Sequence, residues 1–376
     1  MNTRHSLRTT RVDATAIAHN TEVLRTAAST PHTLAVVKAD GYGHGAVTAA
    51  RAALEGGADH LGVADLQEAF ELRDAGINAP IIAWLLDPQF DVDAAVDARV
   101  TLGISSLDQL LRVAAAGRGA EIQVKADTGL SRNGVPEAQW GVVLDRLAEA
   151  VRTGDVRLTG VFSHLSNTSP DDDRNQVVAF ERFVDAVRAV GLEPGIRHLA
   201  ATAGALDHPV ARYDMVRFGI SLYGIAAERH LRGALPLRPA MRFSARVVGV
   251  KRVPAGSGVS YGYAHRTERA TTLALVPLGY ADGVPRAAVN APVLLGESIH
   301  RVVGRVAMDQ CVVDVGDAAV SVGDEAVLWG DPRQGEPHVD EWADAAGTIA
   351  YELVTRLGRR VHRTTVGDGG TVEGQS

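Results

Sequence analysis

The stretch "TLAVVKADGYGHG", residues 33–45, carries the pattern that decides the fold. A β-branched apolar run ends at Lys38, and a loop with three glycines follows at once. Such a run is typical of a buried strand. A lysine is an unusual last residue for a buried strand unless its amine takes part in binding or catalysis. The tetrapeptide "VKAD" recurs at residues 124–127, followed by "TGLSRNG", so Lys125 stands in a similar place. Lys38 and Lys125 are therefore both candidates for the same catalytic role.

The strand-and-turn pattern repeats between about residue 33 and residue 220. Short β-branched runs alternate with alanine- and leucine-rich stretches in which apolar residues return every three or four positions, as in helices. One such stretch, residues 105–117, has Ser105 or Ser106 as a helix cap and Gly117 as its end. Alternating strands and helices predict a parallel sheet, and eight strands predict an α/β fold closed into a (β/α)₈ TIM-like barrel. The predicted strands cover residues 33–38, 60–64, 80–84, 99–104, 121–126, 157–164, 196–200 and 214–218.

The pattern changes near "ALPLRPAM", residues 234–241, where two prolines mark a junction. Beyond it the apolar runs read as strands separated by turn residues, which predicts a mainly β domain. We expect an N-terminal strand segment at 1–12, the barrel at 13–235 and the β-rich C-terminal domain at 236–376. One helix is expected at 347–358, and the polar, glycine-rich tail 365–376 is expected to be disordered.

Composition and charge exclude several classes of protein. The 376 residues carry a net charge of −7 with no dense basic run, which disfavours a nucleic-acid partner. The single cysteine, Cys311, excludes an intramolecular disulfide framework, and no histidine spacing typical of zinc sites occurs, so no metal is expected. The N-terminus lacks the apolar core of a signal peptide, and no apolar run is long enough for a bilayer. A cytoplasmic enzyme with no membrane contact fits these features.

Polar and bulky residues lie at or just after the carboxyl ends of the predicted strands, where barrel enzymes carry their chemistry. These residues are Lys38, Trp84, Lys125, Arg132, His164, Thr202 and Arg217. A single lysine or histidine in such a place is more often a solvated or structural residue, but seven converging positions are harder to dismiss. The glycine loop matches neither a dinucleotide-binding nor a P-loop motif. A lysine nucleophile leaves two chemistries open, a Schiff base with a carbonyl substrate or with pyridoxal phosphate.

Six longer motifs make the sequence more specific. "AVVKADGYGHG", "VKADTGLSRNGV", "VRFGISLYG", "VSYGY", "PLGYADGVPR" and "VGRVAMDQ" occur in this order. Together they resemble the bacterial alanine racemases over nearly the whole chain. The resemblance implies a barrel that binds pyridoxal 5'-phosphate, a β-rich C-terminal domain, and a homodimer whose active sites combine the barrel of one subunit with the C-terminal domain of the other. It also implies D-alanine supply for peptidoglycan.

The resemblance assigns the cofactor contacts residue by residue. Lys38 resembles the lysine that holds pyridoxal phosphate as an aldimine. Trp84 and Arg132 are assigned to the cofactor as well, His164 resembles the histidine that packs on its ring, and Arg217 resembles the arginine facing the pyridine nitrogen. The hydroxyls of Tyr42, Thr202 and Tyr351 are assigned to the phosphate. The main-chain amides of Gly219 and Ile220 are assigned to it as well.

The substrate contacts follow from the same motifs. Tyr261 resembles a second catalytic base that reaches in from the partner subunit, so that Lys38 and Tyr261 would serve opposite faces of the substrate. Arg132 and the amide of Met308 resemble the contacts of the substrate carboxylate. Tyr280 and Asp309 resemble residues at the substrate entrance.

This chemistry requires that the pKa values of Lys38 and Tyr261 be lowered. Lysine and tyrosine both have ordinary pKa values near ~10, so a useful base needs positive charge nearby. Arg217 has donors only and keeps its proton, and therefore favours an unprotonated pyridine nitrogen and suppresses transamination. The resemblance also implies that Lys125 is carbamylated and becomes an anion beside Arg132; an ordinary lysine cation is the alternative.

Two positions depart from the family pattern, and two other functions stay open. Ala201 and Phe218 stand where asparagine and proline are frequent, which affects cofactor positioning and loop stiffness. A broad-specificity amino-acid racemase would use the same scaffold. A non-catalytic pyridoxal-phosphate carrier would lack Tyr261 and the C-terminal domain, and a decarboxylase is opposed by Arg217.

Overall fold

The computed structural model describes residues 6–367. Eight parallel strands form one sheet in the order β8-β7-β6-β5-β4-β3-β2-β9. The main chain of Arg217 bridges β9 to Ala201, just after β8, and its N–H donates to the Ala200 carbonyl at 3.2 Å. This bridge closes the sheet, so the predicted (β/α)₈ barrel is confirmed. Its strands are β2 (His32–Val36), β3 (His60–Val63), β4 (Ile81–Ala83), β5 (Val100–Ile104), β6 (Ala120–Lys125), β7 (Val156–Phe162), β8 (Ile196–His198) and β9 (Met215–Phe218).

Helices cover the outside of the barrel. Their apolar faces pack against the strands, and Leu34, Leu61 and Leu102 in the sheet are fully buried. The predicted caps at residues 105–117 are confirmed, because Ser106 Oγ accepts the Gln109 N–H at 3.2 Å and Gly117 is left-handed. The helices of this part are α1 (Ala14–Ala28), α2 (Lys38–Tyr42), α3 (Ala46–Glu55), α4 (Leu66–Asp74), α5 (Val92–Asp97), α6 (Leu107–Ala116), α7 (Trp140–Thr153), α8 (Pro170–Ala189) and α9 (Thr202–Asp207).

The remaining strands form a second sheet of nine, in the order β11-β14-β17-β16-β15-β18-β10-β1-β19. The first strand of the chain lies within it, antiparallel to β10 and parallel to β19. The strands of this sheet are β1 (Arg8–Asp13), β10 (Met241–Arg246), β11 (Gly249–Val253), β14 (Thr271–Val276), β15 (Pro292–Leu295), β16 (Ser298–Val303), β17 (Cys311–Gly316), β18 (Glu325–Trp329) and β19 (His362–Val366). A separate hairpin pairs β12 (Gly258–Val259) with β13 (His265–Arg266). The domain boundaries at residues 13 and 236 stay a prediction.

The sequence misplaced some boundaries in the C-terminal part. The helix expected at 347–358 is confirmed as the shorter α11 (Ala350–Thr355), and the helix before it, α10 (Val339–Ala346), was missed within a segment read as β. Left-handed Gly347 ends α10, which separates the two. The apolar run 300–315 is two strands, with a loop at 304–310. Residues 365 and 366 of the expected disordered tail belong to β19, and residues 368–376 of that tail lie outside the described part.

Candidate active site

A cavity of about 1060 Å³ lies at the carboxyl ends of the barrel strands. It is the place where barrel enzymes carry their chemistry. Eleven of the residues assigned from the sequence line it: Lys38, Tyr42, Trp84, Lys125, Arg132, His164, Thr202, Arg217, Gly219, Ile220 and Tyr351. All but Tyr351 come from the barrel, and Tyr351 comes from α11. The cavity therefore joins residues from both parts of this chain.

Lys38 begins α2 and does not end strand β2, as the sequence had suggested; β2 ends at Val36. The next four residues, 39–42, all have φ values of 52–60°. A residue with a Cβ costs about 1–2 kcal/mol in this left-handed conformation, so the three non-glycine residues cost several kcal/mol in total. Gly43 also meets a close neighbour, because a Cβ there would lie 1.9 Å from the Val354 carbonyl oxygen of α11. The glycine-rich loop is thus a left-handed turn pressed against the C-terminal part.

The amine of Lys38 lies in a field of positive charge. Burial lowers its pKa, and Arg132 and Arg217 lower it further, whereas the carboxylate of Glu68 opposes them. A lower pKa increases the fraction of free amine near neutral pH, which is the form that acts as nucleophile or base.

Arg217 organises a buried network of histidines. Its Nη1 donates to His198 Nδ1 at 2.9 Å and its Nη2 to His164 Nδ1 at 3.0 Å. A guanidinium offers donors only, so both Nδ1 atoms must carry a lone pair and both protons of the neutral rings must sit on Nε2. The Nε2 of His198 then donates to Gln123 Oε1 at 2.7 Å. Burial, followed by the charge of Arg217, holds the pKa of each histidine well below its usual range.

Lys125 ends β6 and is only 7% exposed. Burial, Arg217 and Arg132 lower its pKa to about 8, in that order of size. Arg132 follows in a loop that Asp127 folds, since Asp127 Oδ1 accepts the N–H groups of Gly129 and Ser131, each at 3.0 Å. The second "VKAD" motif therefore places a lysine with a shifted pKa and delivers an arginine beside it.

The residues assigned to the phosphate from the sequence all line the cavity: Tyr42, Thr202, Gly219, Ile220 and Tyr351. The rings of Tyr42 and Tyr351 lie 6.2 Å apart between centroids. Burial raises the pKa of Tyr351 to about 12 and that of Tyr42 well above its usual value, so both remain donors at neutral pH. A Cβ on Gly219 would lie 2.7 Å from the Tyr42 hydroxyl oxygen, so only glycine leaves this space open. Thr202 begins α9 and is 4% exposed.

Trp84 reaches the cavity over two glycines of neighbouring strands. Cβ atoms on Gly62 and Gly103 would lie 2.5 Å from its Cη2 and 3.1 Å from its Cα. The indole therefore occupies room that side chains on β3 and β5 would otherwise fill.

Four assigned residues lie outside the cavity: Tyr261, Tyr280, Met308 and Asp309. They are exposed, Tyr261 to 72%. They belong to neighbouring loops, because Ser260 Oγ donates to the Arg305 carbonyl at 2.6 Å and the Tyr280 N–H donates to the Ala307 carbonyl at 3.1 Å. The C-terminal part thus carries a second group of assigned residues on its own surface.

Two residues near the cavity were missed by sequence reasoning. His198 was read only as part of a strand, although it bonds Arg217. Glu68 was read only as part of a helix, although its carboxylate accepts the N–H groups of Ala39 and Ala64, each at 2.7 Å. Neither residue lies in a recognisable motif, so only the three-dimensional contacts identify it.

Among residues 6–367, the cavity holds no set of three or more His, Cys, Asp or Glu side chains close enough together to bind a metal ion. In that range one set of His and Asp side chains has its ligand atoms close together, His32, Asp59 and His60, at the amino ends of β2 and β3. Asp59 accepts from both rings and from the Thr33 N–H, so hydrogen bonds account for this cluster. Every helix in the described chain is too short or too polar to cross a membrane.

The fold and the site define a two-domain barrel enzyme with a lysine of lowered pKa at its catalytic end. Residues 12–227 match the alanine racemase N-terminal domain family, and residues 240–365 match the alanine racemase C-terminal domain family. The chain belongs to the alanine racemase family.

Relatives and solved structures agree with this assignment. An alanine racemase of Thermobifida fusca is 48% identical over 365 residues, which cover 95% of this chain and 97% of that relative. An alanine racemase of Mycolicibacterium smegmatis is 45% identical over 94% of this chain and 93% of that relative. The crystal structure of alanine racemase from D-cycloserine-producing Streptomyces lavendulae is similar with a TM-score of 0.93 and 43% identity, over 96% of this chain and 97% of the other.

Proposed function

We propose that this protein interconverts L-alanine and D-alanine with pyridoxal 5'-phosphate bound in the barrel cavity, and so supplies D-alanine for peptidoglycan in the cytoplasm. The observation that carries the proposal is the position of Lys38, whose amine has a lowered pKa and lies in the same cavity as Arg217, Tyr42 and Tyr351. The active form would be a homodimer.

The donors of the cavity suit an anionic, phosphorylated cofactor. Tyr42, Thr202 and Tyr351 supply hydroxyls, and Gly219 and Ile220 supply main-chain amides, around the space that Gly219 leaves open. Phosphate oxygens accept hydrogen bonds from such groups. Arg132 and Arg217 add positive charge to the same cavity, which favours a ligand with several negative charges. Trp84 and His164 would contact the cofactor beside Arg132.

When bound, pyridoxal phosphate withdraws electrons from the substrate's α-carbon and makes its hydrogen acidic. Arg217 would face the ring nitrogen and, having no acceptor, leave that nitrogen without a proton. The free amine of Lys38 would move the α-proton on one face of the substrate.

Tyr261 of the partner subunit would move the proton on the opposite face. Tyr261 is 72% exposed and lies outside the cavity of its own chain, so it would reach a cavity when its surface docks onto a second subunit. Arg132 and the Met308 amide would hold the substrate carboxylate, with Tyr280 and Asp309 at the entrance. Two bases on two subunits explain why the assigned residues fall into two separate groups.

We also propose that the amine of Lys125 carries a carbamate. Carbon dioxide adds to a neutral amine, and a pKa of about 8 leaves a useful fraction of neutral amine near pH 7. The anion formed would pair with Arg132 and offset part of the cavity's positive charge. Protein equilibrated with ¹³C-bicarbonate should give a carbamate carbon signal that disappears in Lys125→Met. A native spectrum identical to that of Lys125→Met would exclude the modification.

The direct test is to purify the protein with pyridoxal phosphate, measure the visible absorbance of the bound cofactor, and follow conversion of each alanine enantiomer by circular dichroism. Serine and lysine serve as comparison substrates, because a broad-specificity racemase would turn over all three. We expect alanine to be preferred. A protein that binds the cofactor and racemises no amino acid would contradict the proposal and favour a carrier.

A further inference from the structure

The turn that follows Lys38 cannot hold its shape by itself. Residues 39–42 form one left-handed turn, in which the Gly41 N–H donates to the Val37 carbonyl at 2.8 Å and the Gly43 N–H to the Ala39 carbonyl at 3.0 Å. L-residues avoid this conformation, and it persists only where surrounding groups impose it. Lys38 is the residue at the start of the turn, so whatever holds the turn also sets the direction of its side chain.

Glu68 holds the turn from the barrel side. Its Oε1 accepts the Ala39 N–H at 2.7 Å and its Oε2 accepts the Ala64 N–H at 2.7 Å. Ala64 follows strand β3, and Glu68 lies in the first turn of α4. One carboxylate therefore joins the end of a barrel strand to the left-handed turn.

Asp40 holds the turn from the opposite side. Its Oδ1 accepts the Ala46 N–H at 2.9 Å, and its Oδ2 pairs with Arg363 Nη1 at 2.6 Å. Arg363 lies on β19, in the nine-stranded sheet. The turn is thus fixed between the barrel and the C-terminal part, and Glu68 ties its first residue, Ala39, to the end of β3.

We propose that Glu68 is a positioning residue for Lys38: by holding the Ala39 and Ala64 amides together it keeps the left-handed turn formed and the Lys38 amine aimed at the substrate. This inference rests on the proposed function, in which Lys38 moves a proton. A role limited to capping α4 would account for the Ala64 bond and leave the Ala39 bond without a purpose. The charge of Glu68 also raises the pKa of Lys38 against the effect of the cavity's cations.

The test compares Glu68→Gln with Glu71→Gln. The first keeps the size of the side chain but leaves one acceptor oxygen for two amides, so one amide faces an NH₂ donor. The second makes the same chemical change at an exposed position of the same helix. Two measurements are made on each holoenzyme: hydrogen exchange of a peptide spanning residues 37–43, and kcat and KM for both alanine enantiomers with hydrogen or deuterium at the α-carbon.

For Glu68→Gln we expect exchange in the 37–43 peptide to rise about tenfold, because the turn opens more often. We expect kcat to fall about 10- to 100-fold with KM little changed, because a small misplacement of a catalytic group slows the chemical step. The deuterium effect should rise for one enantiomer only, the one whose α-proton Lys38 removes. Glu71→Gln should match the native protein in every measurement.

Unchanged exchange and kcat in Glu68→Gln would overturn the proposal, as would a deuterium effect that rises equally for both enantiomers. If Glu68→Gln does not fold, Glu68→Asp decides, because it keeps the charge in the first turn of α4 and cannot reach Ala39; the same losses are expected. A native protein that does not racemise alanine would overturn the proposed function instead, and the exchange comparison would still test whether Glu68 holds the turn.

Discussion

Arg217 donates to His164 Nδ1 across 3.0 Å, and this bond fixes which edge of the imidazole carries the proton. The Nε2–H of His164 is then the edge left to donate within the cavity. The same guanidinium sets the tautomer of His198 on its other side. A single arginine therefore controls one buried histidine, His198, and one half-buried histidine, His164, and, in the proposed reaction, the state of the cofactor's ring nitrogen.

Replacement of Arg217 by glutamate should change the outcome of the reaction as well as its rate. A carboxylate facing the ring nitrogen would keep a proton there and stabilise negative charge at the α-carbon for longer. We expect Arg217→Glu to release more pyruvate per racemisation event. The increase should be about tenfold if the variant stabilises the negative charge at the α-carbon by a further ~1.4 kcal/mol. Coupled detection of pyruvate during turnover of alanine measures this ratio. A ratio equal to that of the native protein would remove the argument for Arg217.

The buried side chain of His198 makes stability depend on pH. The pKa of His198 is held well below its usual value by burial and by Arg217, so below about pH 6.5 the unfolded chain binds a proton that the folded chain does not. Stability is therefore full above pH 6.5 and falls as the pH drops, by about 1.4 kcal/mol per pH unit for this group. Urea unfolding of native protein and His198→Asn between pH 7.5 and 5.5 should give a shallower loss for the variant. Parallel slopes would contradict a neutral His198.

A methyl group on Gly219 should weaken cofactor binding. The added Cβ would lie 2.7 Å from the Tyr42 hydroxyl oxygen, which is closer than contacts allow, so that Tyr42 must move. We expect Gly219→Ala to raise the dissociation constant of pyridoxal phosphate about tenfold or more, since one phosphate donor is displaced. Fluorescence titration of the apoprotein measures the constant.

The matched control for this prediction is a double variant. Tyr42→Phe loses the hydroxyl donor but also removes the clash, so adding Gly219→Ala to Tyr42→Phe should cost much less than adding it to the native protein. Equal costs in the two backgrounds would show that the clash with Tyr42 is not the cause.

Sequence reasoning located residues that sit in motifs and missed residues that act through distant partners. Lys38, Lys125 and Arg217 lie at or just after the carboxyl ends of strands, and the period of the strands places them at one end of a barrel. Glu68 and His198 gain their roles from bonds to Ala39 and Arg217, which local patterns do not encode.

The left-handed turn after Lys38 shows the same limit. Its glycines suggested a tight turn, but Ala39 and Asp40 also adopt positive φ, against their intrinsic preference. The tertiary contacts of Glu68 and Arg363 override that preference. Helix α10 was missed because it is only eight residues long and follows a series of strands.

In the proposed dimer, one active site combines Lys38 of one chain with Tyr261 of its partner. Lys38→Ala and Tyr261→Phe chains, each inactive alone, are unfolded together, refolded and freed of excess cofactor. Mixed dimers would contain one intact site of two, so a statistical mixture should recover about a quarter of the native racemase activity. No recovery, with mixed dimers proven by mass spectrometry, would contradict a site shared between two subunits.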